Sequence, residues 1–147
     1  MIYTRNGKLK FDRSLQELLA ERENLTITQH DRKTGDGKLK FRNCDFRYQD
    51  FRGWTFEKLV LDECDFTGSD LRGATFKQCG LRSVLFERCQ LDAAEFIKCN
   101  LREGAVRYSF APEITFYSCN MVTTNIEKLD APRSRWEYND MRKVNAR

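Results

Sequence analysis

The 147-residue chain has no long hydrophobic run, a single histidine (His30) and no glycine-rich phosphate loop. Its apolar stretches are a few residues long, far short of the roughly 20 that a membrane-spanning helix needs. The opening MIYTRNGKLKF holds no apolar stretch of signal-peptide length, so neither secretion nor membrane insertion is expected. With one histidine, the common nucleophilic triads are missing, and so are the usual nucleotide motifs. Zinc sites use closely spaced cysteines, often completed by histidine. Here His30 stands apart and neighbouring cysteines lie ten to 20 residues from one another. These absences predict no enzyme, no cofactor and no metal.

Apolar content is also modest, at 40% with a mean hydropathy of −0.68. Disorder is nevertheless excluded by 11 phenylalanines and an aromatic content of 12%. Charge is uneven along the chain. Residues 1–40 carry nine basic and six acidic side chains, and residues 132–147 carry five and two. The middle, residues 41–131, has 12 basic against 14 acidic. A nucleic-acid binder concentrates positive charge on one surface, so a mildly acidic body argues against direct nucleic-acid binding.

What is present is a period of five. From Phe41, a large apolar residue recurs at Phe46, Phe51, Phe56, Leu61, Phe66, Leu71, Phe76, Leu81, Phe86, Leu91, Phe96, Leu101 and Val106. The series weakens at Ala111 and resumes with Phe116, Met121, Ile126 and Ala131. Nine of the 11 phenylalanines lie on it. A helix turns successive members by about 140° from one another, so no helical face collects them. A strand sends alternate members to opposite sides. Neither regular element gives this pattern a core.

The cysteines are an independent test. Cys44, Cys64, Cys79, Cys89, Cys99 and Cys119 all fall two residues before a member of the series. The chance that six residues share one of five phases is on the order of one in 10⁴. Elsewhere the same phase holds mostly small or apolar residues, such as Ser69, Ala74, Ala94, Gly104 and Ser109. The thiols are therefore expected to be small, reduced, inward-facing fillers, which suits a cytoplasmic location. The phase just before the central residue favours Asp, Asn or Thr. Asp45, Asp50, Asp65 and Asp70 are expected to hydrogen-bond local backbone, not to serve as acid–base pairs.

The pattern of small residue, Asp or Asn, Leu or Phe, and two polar residues resembles the pentapeptide-repeat family, with CDFRY, SDLRG, CQLDA and CNLRE as close matches. The resemblance covers residues 41–131. It implies an all-β solenoid, a right-handed quadrilateral β-helix of about four to five coils with four pentapeptides per coil. Given four sides, Phe56, Phe76, Phe96 and Phe116 form one core ladder, and Leu61, Leu81, Leu101 and Met121 the next. The stretch AVRYSFAPE departs from the pattern, so a bulge, loop or altered coil is expected at residues 106–112.

The flanks are read as caps. Residues 1–40 predict a hairpin at Asn6-Gly7, a helix over residues 12–24 with Leu15, Leu18 and Leu19 on one face, and a strand at LTIT. The segment GKLKF occurs twice, either as two equivalent strand entries or by chance. Residues 132–147 predict a short helix as C-terminal cap or tail, with Trp136 and Tyr138 closing the last coil or meeting a second copy. The molecule is thus expected as a monomer, or as a homodimer through its C-terminal end.

The functional expectation is a non-enzymatic module that presents rigid side-chain ladders to a partner protein. Candidate partner-facing residues are Arg72, Arg82, Arg102, Lys58, Lys77 and Lys98. Family resemblance supplies alternatives: a DNA-mimic-like binder of type II topoisomerase, acting in gyrase inhibition or quinolone protection, or a delivered bacterial effector. Mimicry requires a continuous negative surface, and every acidic row in this sequence is diluted by Arg or Lys.

Overall fold

Every fifth residue from Asn43 to Lys143 has a positive φ, between +52° and +74°. Only three of these corner residues, Gly53, Gly68 and Gly73, are glycine. Many corners close with a tight turn bond, as when the Cys64 N–H donates to the Leu61 carbonyl at 3.1 Å and Ala74 to Leu71 at 3.0 Å. The step of five in the sequence is thus a step of five in the backbone.

The structure is a computed structural model that describes residues 41–147 and, ahead of them, the backbone of four two-residue strands. These are β1 (Thr4–Arg5), β2 (Lys8–Leu9), β3 (Thr26–Ile27) and β4 (Leu39–Lys40). There follow β5 (Thr55–Glu57), β6 (Leu59–Val60), β7 (Thr75–Lys77), β8 (Glu95–Ile97), β9 (Thr115–Tyr117) and β10 (Arg135–Glu137). Strands β3, β5, β7, β8, β9 and β10 form one parallel sheet. From β5 onward its register advances by 20 residues, pairing Phe56 with Phe76, Phe96 and Phe116 in turn and then with Trp136. Isolated bridges keep the same interval on the other sides, for example Asp45 with Asp65, Asp50 with Asp70 and Val60 with Gly80. Four five-residue sides therefore close each coil of a parallel β-solenoid, and no helix occurs among the described residues.

The core is the set of inward ladders. Phe56, Phe76, Phe96 and Phe116 stack with ring centroids 4.6–5.0 Å apart, and Phe46, Phe66 and Phe86 stack at 5.0–5.1 Å. The two stacks meet edge to face, Phe66 against Phe76 at 5.8 Å and Phe76 against Phe86 at 5.4 Å. Leu61, Leu81, Leu101 and Met121 make a third buried ladder. Burying each such side chain stabilises the fold by roughly 1.5–3 kcal/mol before entropy is subtracted.

Two sequence expectations are corrected. Residues 132–147 form no helix: they continue the solenoid through β10, and Trp136 stacks on Phe116 at 4.4 Å. Pro132 permits this because it sits where a type II turn favours proline, just before Arg133 at φ +56°. Residues 106–112 form no bulge or loop. Leu91 donates to Phe110 O and Ala111 to Asp130 O, both at 2.8 Å, so the coil is regular. The count of five is unbroken there, and Ala111 is a small inward residue in the ordinary register, fully buried.

At the other end, β1 and β2 pair antiparallel on either side of the Asn6-Gly7 position. Strand β3 lies within LTIT. The two GKLKF copies are not equivalent, since β2 pairs antiparallel with β1 whereas β4 pairs parallel with β6. The helix expected over residues 12–24, and His30, lie outside the described residues.

Candidate interaction surface

The two inward phases of each pentapeptide are consumed by packing and hydrogen bonding. All six cysteines are buried and unpaired as disulfides. Five of them reach back to a core carbonyl 23 residues earlier: Cys64 to Phe41, Cys79 to Phe56, Cys89 to Phe66, Cys99 to Phe76 and Cys119 to Phe96. Ser69, Ser109 and Thr124 donate hydroxyls in the same way, and Asn139 its amide. This phase therefore supplies a donor to an inward carbonyl, a role the sequence reading missed. The signal was there, because Ser and Thr share the phase with Cys. Burial pushes the Cys89 thiol up to about 12 and raises those of Cys64 and Cys99 as well. Such thiols are poor nucleophiles. Among the described residues, no group of three or more His, Cys, Asp or Glu side chains is placed to hold a metal ion.

The third phase shapes the turns. Asp65 accepts the Thr67 N–H at 2.9 Å, and Asp45, Asp50, Asp70, Asn100, Asn120 and Asn125 each accept from the residue two positions on. Gly80 has no side chain to do this. Asp62, one coil earlier, fills the gap and accepts the Arg82 N–H at 3.1 Å. A Cβ on Gly80 would stand 2.9 Å from that carboxylate.

What remains for a partner is the exterior, in four faces, each named here by one of its inward residues. The sequence-chosen cations divide among three of them. Arg72, on the Phe51 face, is held by Asp70 at 2.7 Å, and its neighbour Arg52 by Asp50 at 2.8 Å. These contacts hold Asp50 and Asp70 below the ordinary carboxylate range, chiefly through the Arg52 and Arg72 hydrogen bonds. Lys58, Lys77 and Lys98 share the Phe56 face, with Lys58 and Lys98 on one ladder and Gln78 between them. Arg82 and Arg102 occupy adjacent rungs of the Leu61 face and converge on Glu103, at 3.4 and 3.6 Å. Two shallow grooves run along that face. One is lined by Arg42, Asp62, Glu63, Arg82, Ser83 and Glu103, the other by Arg102, Asn120, Val122, Thr123, Arg142 and Lys143.

No face of the described coils is a continuous acidic stripe. The most acidic, the Phe51 face, carries Asp50, Asp70, Asp92, Glu113 and Asp130, interrupted by Arg52, Arg72 and Arg133. Trp136 and Tyr138 part company. Trp136 is half-buried on the Phe116 ring with its indole N–H on Ser134 at 2.7 Å, whereas Tyr138 is exposed and meets Tyr117 edge-on at 5.7 Å. The sequence reading also missed a group of exposed aromatics, Tyr48, Tyr108 and Phe110.

Comparison with known proteins places this geometry. A family model described as a pentapeptide repeat region matches residues 39–109. No curated protein matches the chain significantly. Among solved structures, it is similar to a pentapeptide repeat protein, Rfr23, from the cyanobacterium Cyanothece 51142, with a TM-score of 0.75 at 9% identity, covering 92% of this chain and 100% of that one. Weaker likenesses are to full-length QnrB1, a plasmid-mediated fluoroquinolone resistance protein (TM-score 0.47, 17% identity, 84% and 78% covered), and to a pentapeptide repeat protein of the Arabidopsis thaliana thylakoid lumen (0.43, 24%, 60% and 62%). Residues 39–109 are thus a pentapeptide repeat region, and the same twenty-residue coil is carried on beyond them to residue 147.

Proposed function

We propose that this chain is a non-enzymatic interaction module whose exterior ladders dock a partner protein. One observation carries the reading: the inward positions are filled by packed side chains, while the outward ones stand on a backbone paired coil to coil at every step. Side chains fixed in this way lose little ordering entropy on binding. Arg82 and Arg102 are the leading contacts, because they project beside the grooves of the Leu61 face. Lys58, Lys77 and Lys98 form a second cationic group. Arg72 ranks lower, since its guanidinium is already engaged by Asp70.

The test is affinity capture from the native host with wild-type chain and an Arg82→Glu/Arg102→Glu variant. A specific protein retained by the first and lost by the second supports the reading. Equal retention by both removes the Leu61 face from it.

The topoisomerase-directed alternative requires phosphate-like negative charge along the rod, and the interleaved arginines oppose it. Direct DNA binding is opposed by the same mixed charge, and a salt-dependent shift assay at low salt tests it. Delivery as an effector concerns where the module works, not how. A cytoplasmic location is favoured by six buried, reduced thiols. Self-association through the end of the rod is read from Trp136→Ala. A fall in mass assigns Trp136 to a contact between copies, and an unchanged mass with lower stability assigns it to covering Phe116.

A further inference from the structure

The off-pattern stretch at residues 106–112 has no structural reason, since the coil runs through it unchanged. Its effect is to put a small residue inside and a large one outside. Ala111 is fully buried on a ladder that holds Phe51, Leu71 and Leu91 in earlier coils, while Phe110 is 48% exposed. Phe110 stands on an outward ladder otherwise made of Asp50, Asp70, Gln90 and Asp130. Apolar volume has been moved from the axis to the surface, against the stability of the rod. Local breaches of the folding pattern of this kind mark functional positions.

The neighbourhood of Phe110 has a defined chemistry. Two residues earlier, at the corner, Tyr108 is 43% exposed, and the Arg88 guanidinium lies 5.4 Å from its ring centroid. The Arg107 guanidinium lies 5.6 Å from the same ring but is tied to Glu87 at 2.8 Å. Arg88 and Lys128 flank Tyr108 on the corner ladder, roughly 10 Å apart by two inter-strand spacings. Among the described residues neither enters an ion pair. The Arg88 guanidinium thus lies within cation–π range of the Tyr108 ring and keeps N–H groups for a carboxylate. Exposed Tyr, Phe and Arg are also the residue types that concentrate binding energy in protein interfaces.

We propose that Arg88, Tyr108, Phe110 and Lys128 form a docking site for an acidic–apolar segment of a partner protein, with carboxylates on the two cations and an apolar side chain on the aromatic pair. This rests on the reading of the rod as a docking module. A protein segment is favoured over nucleic acid because the patch sets only two unpaired cations beside exposed Tyr108 and Phe110, which suits a few carboxylates spaced among apolar side chains and not a continuous phosphate chain.

The probes are fluorescein-labelled peptides of alternating Glu and Leu, the matching Gln and Leu peptide, and a short oligothymidylate. Each is titrated into the isotope-labelled full chain and followed by amide shifts and anisotropy. The expected result is saturable binding of the Glu/Leu peptide alone, with shifts centred on residues 88, 108, 110 and 128. Phe110→Asp is expected to fold normally, since Asp occupies the same ladder at Asp50, Asp70 and Asp130, and to weaken binding roughly tenfold. Arg88→Glu should do the same, and Arg82→Glu/Arg102→Glu should have no effect on this probe. Equal binding of the Gln/Leu peptide, preference for the oligothymidylate, shifts centred elsewhere, or no binding overturns the site. Loss of captured partner in the Arg82→Glu/Arg102→Glu variant would still support the module, so the two failures are distinct.

Discussion

The Cys99 thiol donates to the carbonyl of Phe76, 3.1 Å away and one coil back. The bond recurs with different chemistry at Ser69, Ser109 and Thr124, so the fold needs a small donor at this phase and is indifferent to sulfur. Cys99→Ser is therefore expected to unfold in urea within about 0.5 kcal/mol of wild type. Cys99→Ala leaves the Phe76 carbonyl without that donor and should lose about 1 kcal/mol. Equal losses in the two variants would show that volume, not the hydrogen bond, sets the preference.

The same burial gives a pH dependence. Cys89 is held at about 12, above the ordinary value of 9.0, with Cys64 and Cys99 shifted in the same direction. The folded state keeps these protons longer than the unfolded state does. Their contribution is thus complete below pH 9.0 and is lost as pH rises toward about 12. Urea midpoints measured across this window should fall, and Cys89→Ser should fall less steeply. A Cys89→Ser curve parallel to wild type contradicts the assignment.

The corners make a prediction of opposite signs. Gly73 has φ +70°, and a Cβ there meets nothing closer than 3.9 Å, so Gly73→Ala tests conformation alone. It should destabilise by about 1 kcal/mol. Ala93 sits at φ +56° with the penalty already present. Ala93→Gly should stabilise by a few tenths of a kcal/mol, the relief being partly offset by a freer unfolded chain. Thermal midpoints of the two variants should move in opposite directions.

Phe76 sits in the middle of the aromatic core, touching Phe56 and Phe96 face to face and Phe66 and Phe86 by their edges. Phe76→Ala should lose about 3–5 kcal/mol. Arg72→Ala, which removes an exposed pair with Asp70, should lose far less. Denaturant titration ranks the two, and a comparable loss would mean that the ion-pair ladders stabilise the rod as much as its core does.

The architecture was legible because each pentapeptide repeats the same instruction, and a single register error would scatter Phe56, Phe76 and Phe96 to different sides. The end of the rod was less legible. Trp136 and Met141 keep the count of five, but the expected repeat ends at residue 131, although proline suits the turn position that Pro132 occupies. The region around Phe110 was misread for a related reason. A large residue one step out of phase looks like a shifted register, and only the pairing of Gln90 with Phe110 and of Phe110 with Asp130 shows that the register held. Surface roles were the least legible. Arg72 and Arg82 look alike in sequence, yet Asp70 engages Arg72 fully and Glu103 is shared by Arg82 and Arg102.

The most direct test is a nuclear Overhauser spectrum of a sample protonated only at its phenylalanine rings. Contacts linking Phe56 to Phe76, Phe76 to Phe96 and Phe96 to Phe116 are predicted, together with Phe66 to Phe76, all among rings shielded from a soluble paramagnetic probe. Rings of Phe76 and Phe96 that are bleached by the probe and show no mutual contact would contradict the account, since the interior would then be free for something other than packing.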